Sequence, residues 1–429
     1  MKNIEVKGAI LEFMRGKCYA PLNAEALITE IPIEGPQLSE FWKSLLELEA
    51  NGEIVKTRFA TFGLPEKMGL VAGRFQLTSK GFGFVIPDNK GEGPDVFIPP
   101  RALNGAMNND RVMARVETRV GGKKPEGEII RIITRANNKV VGVFIKTGDF
   151  GFVVPDDKRI GQDIYVARKN FGGAKPNQKV VVEVTTWPEE RKSAEGKIIE
   201  ILGNLGDVGL EILSIIKQND LPLEFPEAVV NASKRVPKTI KETDLKGRRD
   251  VRSLPLVTID GEDAKDLDDA VYVSRQGEDF LLGVYIADVS HYVKENAILD
   301  QEARERATSV YLVDRVIPML PERLSNGICS LNAGEDRLAM SCEMLIDYKG
   351  RVKAYEIFPS VIRVLHRLNY REVREILVNK DADLMDKYSN VVPMLEEMEE
   401  LCKLLRSKRM VRGAIDFDIP EQKVLLDEE

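Results

Sequence analysis

An acidic segment of ten residues lies between two apolar runs near the middle of the chain. Residues 260–269 carry six carboxylate side chains. The flanking runs, residues 256–259 and 270–273, are apolar and rich in β-branched side chains, and this predicts two strands. Ionised carboxylates repel one another, and each is costly to bury alone. The segment is therefore predicted to be a surface loop that connects two strands.

Crowded carboxylates can bind a divalent cation, which would relieve their repulsion. Sites made of oxygen ligands select Mg²⁺ or Mn²⁺, and bound Mg²⁺ in turn recruits phosphate. A solvated acidic turn is the commoner explanation of an isolated acidic run. A calcium loop of the EF-hand type is disfavoured, because its alternating ligands, central glycine and terminal glutamate are missing from residues 260–269. Taken alone, the segment leaves the metal site and the solvated loop open.

Length and composition limit the class of protein. A chain of 429 residues exceeds one hydrophobic core and predicts about two to four domains. It contains no long uncharged apolar run and no secretory signal pattern, so we expect no membrane span and a cytoplasmic location. Four cysteines without a Cys-x-x-Cys pair argue against zinc and predict buried free thiols. Two histidines exclude a histidine-rich metal site.

Charge is distributed unevenly along the chain. The net charge is −7, which argues against a uniformly basic nucleic-acid-binding protein. Residues 71–203, however, carry 22 basic against 16 acidic side chains. This distribution fits a binding module joined to an acidic, metal-binding catalytic module.

The first 68 residues predict a small helical domain that ends in a β-wing. Three helical patterns are followed by a strand pattern at residues 53–59, as in a winged helix. The third helical pattern contains Glu40, Glu47 and Glu49 against Lys43. A helix that enters a DNA groove should not be net acidic. We therefore expect packing or RNA docking rather than sequence-specific DNA recognition.

An internal repeat occupies residues 71–203. Residues 73–88 and 142–156 share the element Phe-Gly-Phe followed by a short apolar run and Pro-Asp. Each copy continues with further strand patterns separated by Gly, Asn and Asp. Several short strands with such turns predict two small β-barrels.

The aromatic side chains of the repeat are candidate contacts for unpaired bases. Alternate residues on a strand share a face, so Phe82 and Phe84 point the same way, as do Phe150 and Phe152. Exposed rings can stack on bases, and Lys80 can meet phosphates. The alternative places these rings in the barrel cores. The repetition favours stacking, and the segments resemble cold-shock domains, which are OB-folds that bind single-stranded nucleic acid.

From about residue 248 the chain has α/β character. An apolar strand is predicted at residues 280–288, a helix at 297–307 and a long amphipathic helix at 393–410. Residues 206–247 contain three prolines and little periodicity, and they predict a solvated connector.

Four stretches in this region resemble the ribonuclease II family. They are residues 249–271, 286–293, 317–327 and 412–417. The domain order is most similar to the ribonuclease R branch of that family. The resemblance implies a multidomain α+β protein with a winged helix, two cold-shock-type OB β-barrels, a connector and the N-terminal part of an α/β RNB catalytic domain. The corresponding ranges are 1–68, 69–135, 136–205, 206–247 and 248–429.

The resemblance also implies a function. The family degrades RNA hydrolytically from the 3′ end and releases nucleoside 5′-monophosphates. Its catalytic and metal-binding aspartates fall on Asp260, Asp266, Asp268 and Asp269, and turnover depends most on Asp268. Tyr311 matches a family tyrosine that stacks on the 3′-terminal base, although a core tyrosine in an apolar run is the alternative.

The cofactor and partners follow from that function. We expect Mg²⁺, with Mn²⁺ as a substitute, and single-stranded RNA as the substrate. The ribosome or the RNA-decay machinery are further expected partners, and we expect a monomer.

The family's catalytic domain continues beyond the point where this sequence stops. In the family that later part carries an arginine-rich stretch that grips the scissile phosphate, so we expect the catalytic domain to be incomplete here. This motivates a second hypothesis, a non-catalytic protein that binds or remodels single-stranded RNA through the two barrels. A winged-helix transcription factor is a third hypothesis, and the acidic third helix disfavours it.

Overall fold

The computed structural model describes residues 3–16, 19–31, 33, 35–88, 93–117, 125–189 and 192–417. The chain divides into two compact units, Met1–Leu221 and Pro222–Glu429. Across the ranges just given, no helix is long and apolar enough to cross a membrane.

The first unit begins with three helices and a small sheet. The elements are α1 (Asn3–Arg15), β1 (Leu22–Asn23), α2 (Ala24–Glu30), α3 (Leu38–Ala50), β2 (Val55–Lys56) and β3 (Thr61–Gly63). The sheet has the order β1-β3-β2. Val6, Ile10 and Met14 recur every fourth residue of α1 and are fully buried, because this spacing lines one face of a helix. Three helices and a short sheet agree with the predicted elements, and the winged-helix interpretation stays a prediction.

Two closed five-stranded barrels follow, as the internal repeat predicted. The first consists of β4 (Leu70–Leu77), β5 (Gly83–Pro87), β6 (Val96–Ile98), β7 (Arg111–Glu117) and β8 (Glu126–Thr134). The second consists of β9 (Lys139–Thr147), β10 (Phe150–Pro155), β11 (Ile164–Ala167), β12 (Gln178–Thr186) and β13 (Glu195–Asn204). In both barrels the third and fifth strands pair in parallel, and the remaining pairs are antiparallel.

The glycine of each Phe-Gly-Phe element is required by close packing inside its barrel. Gly83 lies against the ring of Phe75, and Gly151 lies against the ring of Phe144. Both rings are fully buried, and a Cβ atom at either glycine would collide with them. Because alternate residues face opposite sides, the flanking phenylalanines project away from these cores.

Residues 206–247, predicted from the sequence to be a solvated connector, contain two α-helices in the structure. Helix α4 (Leu210–Gln218) packs on β9 and β13 in the first unit, and helix α5 (Glu227–Arg235) belongs to the second unit. Leu210 and Ile216 of α4 and Val229 of α5 are buried. The prolines led to the prediction of an irregular connector, but they lie outside both helices and do not interrupt them.

The second unit is built on one mixed sheet. Its strands are β14 (Arg249–Asp250), β15 (Leu256–Asp260), β16 (Asp269–Gln276), β17 (Asp279–Ala287), β20 (Asp336–Ile346) and β21 (Val352–Asn369), and β18 (Val310–Tyr311) and β19 (Val316–Ile317) form a separate pair. Its further helices are α6 (Val289–Tyr292), α7 (Ile298–Arg306), α8 (Tyr370–Arg374), α9 (Ala382–Lys387) and α10 (Val392–Val411).

Short helical turns complete the two units. In the part of the chain that the structure describes, six are 3₁₀ turns, at Gly35–Gln37, Pro65–Met68, Pro100–Ala102, Lys158–Ile160, Arg168–Asn170 and Glu242–Leu245. Two turns of the second unit are π-helical, at Arg323–Ile328 and Glu375–Asn379.

The long strand β21 places the acidic segment at one end of the sheet. Its first part pairs antiparallel with β20, and its last part pairs parallel with β15. The sheet therefore closes on itself. Strand β15 pairs with β16, β16 with β17, β17 with β20, β20 with β21, and β21 again with β15. Asp260 ends β15 beside Asn369, the last residue of β21, and Asp269 begins β16. Residues 261–268 form the loop predicted from the carboxylates, and we call them the acidic loop.

The cysteines agree only partly with the prediction of buried thiols. Cys329 is buried, Cys342 is half-buried and Cys402 is exposed, and all three are free. Burial raises the pKa of the Cys329 thiol to about 12, so this side chain stays protonated and unreactive at neutral pH. Cys18 lies outside the described residues.

Substitution Gly151→Ala tests the packing of the second barrel. The added methyl group would collide with the Phe144 ring, and we expect the barrel to lose about 1–3 kcal/mol of unfolding free energy. Trp187 packs against this core and reports its unfolding by fluorescence in a Trp42→Phe background. The control is Gly8→Ala, whose Cβ meets no atom within 4 Å. An unchanged urea midpoint in Gly151→Ala would contradict the packing argument.

Candidate functional site

The acidic loop is anchored to the protein through its backbone. Leu267 is fully buried, its amide donates to the Ser330 hydroxyl oxygen at 3.1 Å, and its carbonyl accepts from the Leu331 amide at 2.8 Å. The carbonyl of Asp268 accepts from the Ala287 amide at 2.9 Å. Because Leu267 points into the core, the neighbouring side chain of Asp268 is left at the surface.

A second anchor holds the first half of the loop. The guanidinium Nη2 of Arg367, near the end of β21, donates to the carbonyls of Glu262 and Ala264 at 2.8 and 2.6 Å. The Glu262 carboxylate forms an ion pair with Arg371 at 3.1 Å. The Glu262 side chain is therefore paired with an arginine outside the four aspartates.

The four aspartates predicted from the resemblance form one electrostatic cluster. Burial raises the pKa of Asp260, and repulsion from Asp269, Asp268 and, more weakly, Asp266 raises it further. Arg367 opposes this shift. Partial burial raises the pKa of Asp269, and the negative charge of Asp268 raises it further. The other three carboxylates are therefore close enough to Asp260 to disfavour its ionisation.

Tyr311 belongs to this cluster and not to the core. Its side chain is 64% exposed, which excludes the core alternative. Its hydroxyl donates to Asp266 Oδ2 at 2.6 Å. This hydrogen bond, followed by partial burial, raises the pKa of Tyr311 to about 12, because the charged carboxylate favours the protonated phenol. Tyr311 thus holds the Asp266 side chain and leaves its own ring accessible.

The donor chemistry of the cluster fits a hard divalent cation. Asp260 Oδ2 is buried and has no hydrogen-bond partner, which is the state expected of an oxygen reserved for another ligand. Within the described ranges, however, no group of three or more His, Cys, Asp or Glu side chains is arranged so that it could hold a metal ion. Mg²⁺ commonly keeps several waters or substrate oxygens and needs only one or two carboxylates. The oxygen donors of the four aspartates are therefore of the kind that Mg²⁺ and Mn²⁺ prefer.

The aromatic pairs of the barrels lie outside the barrel cores. Phe82 and Phe84 are half-buried, with ring centroids 5.9 Å apart and perpendicular planes. Phe150 and Phe152 repeat this arrangement at 5.7 Å, and Phe150 is exposed. The core positions belong to other rings, so the core alternative for these four side chains is wrong. Lys80 is exposed in the turn between β4 and β5.

Each pair is completed by a third ring that sequence reasoning missed. Phe97 lies opposite Phe84 on the neighbouring strand, with centroids 5.8 Å apart, and contacts Phe82 at 5.6 Å. Tyr165 occupies the same position opposite Phe152, at 5.9 Å. An aromatic residue in the middle of the third strand of both copies was the signal available in the sequence.

The two histidines have local partners. His291 lies 3.5 Å from the Asp244 carboxylate and 3.5 Å from Arg248. His366 lies 3.0 Å from the Asn390 side-chain oxygen. Neither arrangement involves the aspartate cluster.

Family models match most of the chain. The model described as RNB domain matches residues 248–429, and the model described as Ribonuclease B OB domain matches residues 73–132. A cold shock domain model matches residues 152–226. These matches confirm the predicted OB-type barrels and RNB domain, whereas the exact domain limits stay predictions.

Similar proteins cover the chain more completely. A ribonuclease R from Thermotoga maritima is 46% identical over 389 residues, which are 89% of this chain and 54% of that protein. A ribonuclease R from Acidithiobacillus ferrooxidans is 38% identical over 410 residues, which are 95% of this chain and 92% of that protein. The chain thus spans about half the length of the Thermotoga protein and nearly all of the Acidithiobacillus protein.

A solved structure shares the fold. Mycoplasma genitalium RNase R in complex with ribose methylated single-stranded RNA matches with a TM-score of 0.74 and 28% identity. The match covers 83% of this chain and 56% of that chain. Together with the identity of 38% across 92% of the Acidithiobacillus protein, this shows that the chain belongs to the ribonuclease R family.

Proposed function

We propose that this chain acts as a 3′→5′ exoribonuclease that hydrolyses RNA to nucleoside 5′-monophosphates and depends on Mg²⁺, which Mn²⁺ can replace. The observation that carries the proposal is the state of Asp260. Its Oδ2 atom is buried without a hydrogen bond and lies in the field of Asp266, Asp268 and Asp269. A buried carboxylate oxygen without a hydrogen bond, close to other carboxylates, is stabilised in a folded protein when it binds a cation.

The four aspartates would hold the cation. When bound, the ion would orient a water molecule and neutralise charge at the phosphate that is cleaved. The chain's own groups then have separate tasks. Tyr311 fixes Asp266 through its hydroxyl and offers an exposed ring to the last base. Arg367 holds the loop backbone and moderates the negative charge around Asp260.

The barrels would bind the single-stranded substrate. Each carries three rings, and Lys80 is exposed in the first barrel; aromatic rings together with basic side chains stack bases and meet phosphates without sequence preference. The related Mycoplasma protein forms a complex with single-stranded RNA, and this supports the assignment. Contacts with the ribosome or the decay machinery, the monomeric state and the cytoplasmic location stay predictions.

A second candidate function is non-catalytic RNA binding through the barrels. The observation that favours it is the lack of a closed three-ligand metal group among the residues described. A nuclease assay on the purified chain separates the two functions, because only the first predicts mononucleotide release when Mg²⁺ is added.

Substitution Asp268→Asn tests the first function. It removes one negative charge from the cluster and a metal-binding oxygen, and we expect the rate of mononucleotide release to fall at least about 100-fold. The affinity for single-stranded RNA, measured in EDTA by fluorescence anisotropy, should not change. Asp263→Asn neutralises an exposed carboxylate of the same loop and is the matched control, with activity close to that of the wild type. Equal activity in Asp268→Asn and Asp263→Asn would reject the catalytic assignment.

The double substitution Phe84→Ala and Phe152→Ala tests the stacking surfaces. Base stacking on an aromatic side chain contributes about 1–3 kcal/mol, so we expect RNA affinity to fall at least about tenfold. Phe59→Ala removes a ring that is 73% exposed outside the barrels and serves as the control. The assignment is wrong if the double variant and the Phe59→Ala control both bind single-stranded RNA with the affinity of the wild type.

Two substitutions at Tyr311 separate its two tasks. Tyr311→Phe keeps the ring and loses the hydrogen bond to Asp266, so we expect kcat to fall about three- to tenfold with little change in KM. Tyr311→Ala also loses the ring and should raise KM. Tyr348→Ala removes another exposed tyrosine, in the turn between β20 and β21, and should leave both constants unchanged. Identical kinetics of the Phe and Ala variants would exclude a role for the ring.

A further inference from the structure

The acidic loop has to keep four carboxylates close together although they repel one another. Residues 261–268 form neither helix nor strand, so the sheet alone does not fix their backbone. The loop position therefore depends on the groups that bind its amides and carbonyls. Ser330 is one of these groups, and it lies on a segment that the proposed function does not use.

Ser330 contacts the loop on both sides of Asp266. Its hydroxyl donates to the Lys265 carbonyl at 2.8 Å and accepts from the Leu267 amide at 3.1 Å. The same oxygen lies farther, 3.4 Å, from Asn332 Oδ1. Ser330 is fully buried, so water cannot replace it at these backbone groups. One hydroxyl thus fixes the backbone before and after a predicted metal ligand.

Arg337 holds Ser330 in turn. Its side chain is almost fully buried, and its Nε donates to the Ser330 carbonyl at 2.7 Å. The Asn332 amide donates to the same carbonyl at 2.8 Å, and the Ser330 amide donates to the Gly327 carbonyl at 3.0 Å. Ser330 is therefore a rigid support and not a mobile surface side chain.

We propose that Ser330 is a positioning residue for the metal-binding aspartates, because its hydroxyl fixes the backbone on both sides of Asp266. The proposal rests on the proposed function for the identity of the ligand. Groups that orient metal ligands from outside the coordination sphere typically change metal affinity or activity by about 10–100-fold when they are removed. Ser330 supplies this orientation through the main chain.

Substitution Ser330→Ala tests the proposal. Mn²⁺ binding is measured from the electron paramagnetic resonance signal of the free ion, without RNA, and Mg²⁺ activation is measured by mononucleotide release. We expect Ser330→Ala to weaken Mn²⁺ binding, and to raise the Mg²⁺ concentration needed for half-maximal activity, by about 10–100-fold. RNA affinity in EDTA should remain that of the wild type. Ser330→Cys keeps a weaker hydrogen-bonding group of similar size and should lie between the two proteins.

The matched control is Ser341→Ala. Ser341 is equally buried, and its hydroxyl lies 2.6 Å from that of Ser360 on the neighbouring strand and not on the acidic loop. This variant loses a buried hydroxyl of the same domain, so a mere loss of stability would affect both proteins alike. The proposal is overturned if Ser330→Ala binds Mn²⁺ and responds to Mg²⁺ as Ser341→Ala does.

The outcomes separate this proposal from the proposed function. If the wild-type chain binds Mn²⁺ and releases no mononucleotides, the exonuclease assignment fails and the Mn²⁺ measurements on the Ser330 variants still decide the positioning role. If the wild-type chain does not bind Mn²⁺, both proposals fail. If Ser330→Ala does not fold, Ser330→Cys decides the question, and metal binding equal to the wild type overturns the proposal.

Discussion

Mutual repulsion among Asp260, Asp266, Asp268 and Asp269 is the constraint on which the second unit depends. A loop left to itself would separate these carboxylates into water. The protein prevents this with hydrogen bonds to the loop backbone, donated among others by Ser330 and by the Arg367 guanidinium. Arg367 is the cation that most directly opposes the field at Asp260, and its contacts go to loop carbonyls. The remaining negative charge is therefore available to an external cation.

The anchors of the acidic loop lie beside the point where the sheet closes on itself. The two anchors of the acidic loop come from distant parts of the chain, Ser330 before β20 and Arg367 at the end of β21. The strand β21, which carries Arg367, pairs with β20 along its first part and with β15 along its last part. The pairing of β21 with β15 thus places Arg367 beside the acidic loop.

Local patterns made the barrels and the strand–loop–strand element predictable from sequence. Glycine between two phenylalanines, repeated twice, identified strands in which the small residue faces a crowded core. Long-range contacts were not predictable, because no local pattern encodes them. The bond from Arg367 to Ala264 spans 103 residues, and the bond from Ser330 to Lys265 spans 65. The helices of the connector were missed because their apolar stripes are only two turns long.

The two barrels carry equivalent sets of three aromatic rings, although the residue types are not identical. The third ring is phenylalanine in the first barrel and tyrosine in the second, at the same cross-strand position. Each set of three rings is held by edge-to-face and tilted contacts, so the rings are fixed before a ligand arrives. In the proposed RNA-binding role, such preformed rings would lose little side-chain freedom on binding.

The distance along the chain between the acidic loop and Arg367 has a consequence for biosynthesis. A ribosome adds about 5–20 residues per second, so the loop leaves the exit tunnel several seconds before its second anchor. Through that interval the growing polypeptide has the four carboxylates but not the arginine that pins Glu262 and Ala264. Until β21 has been synthesised, the nascent chain therefore lacks one of the groups that hold the backbone of the acidic loop.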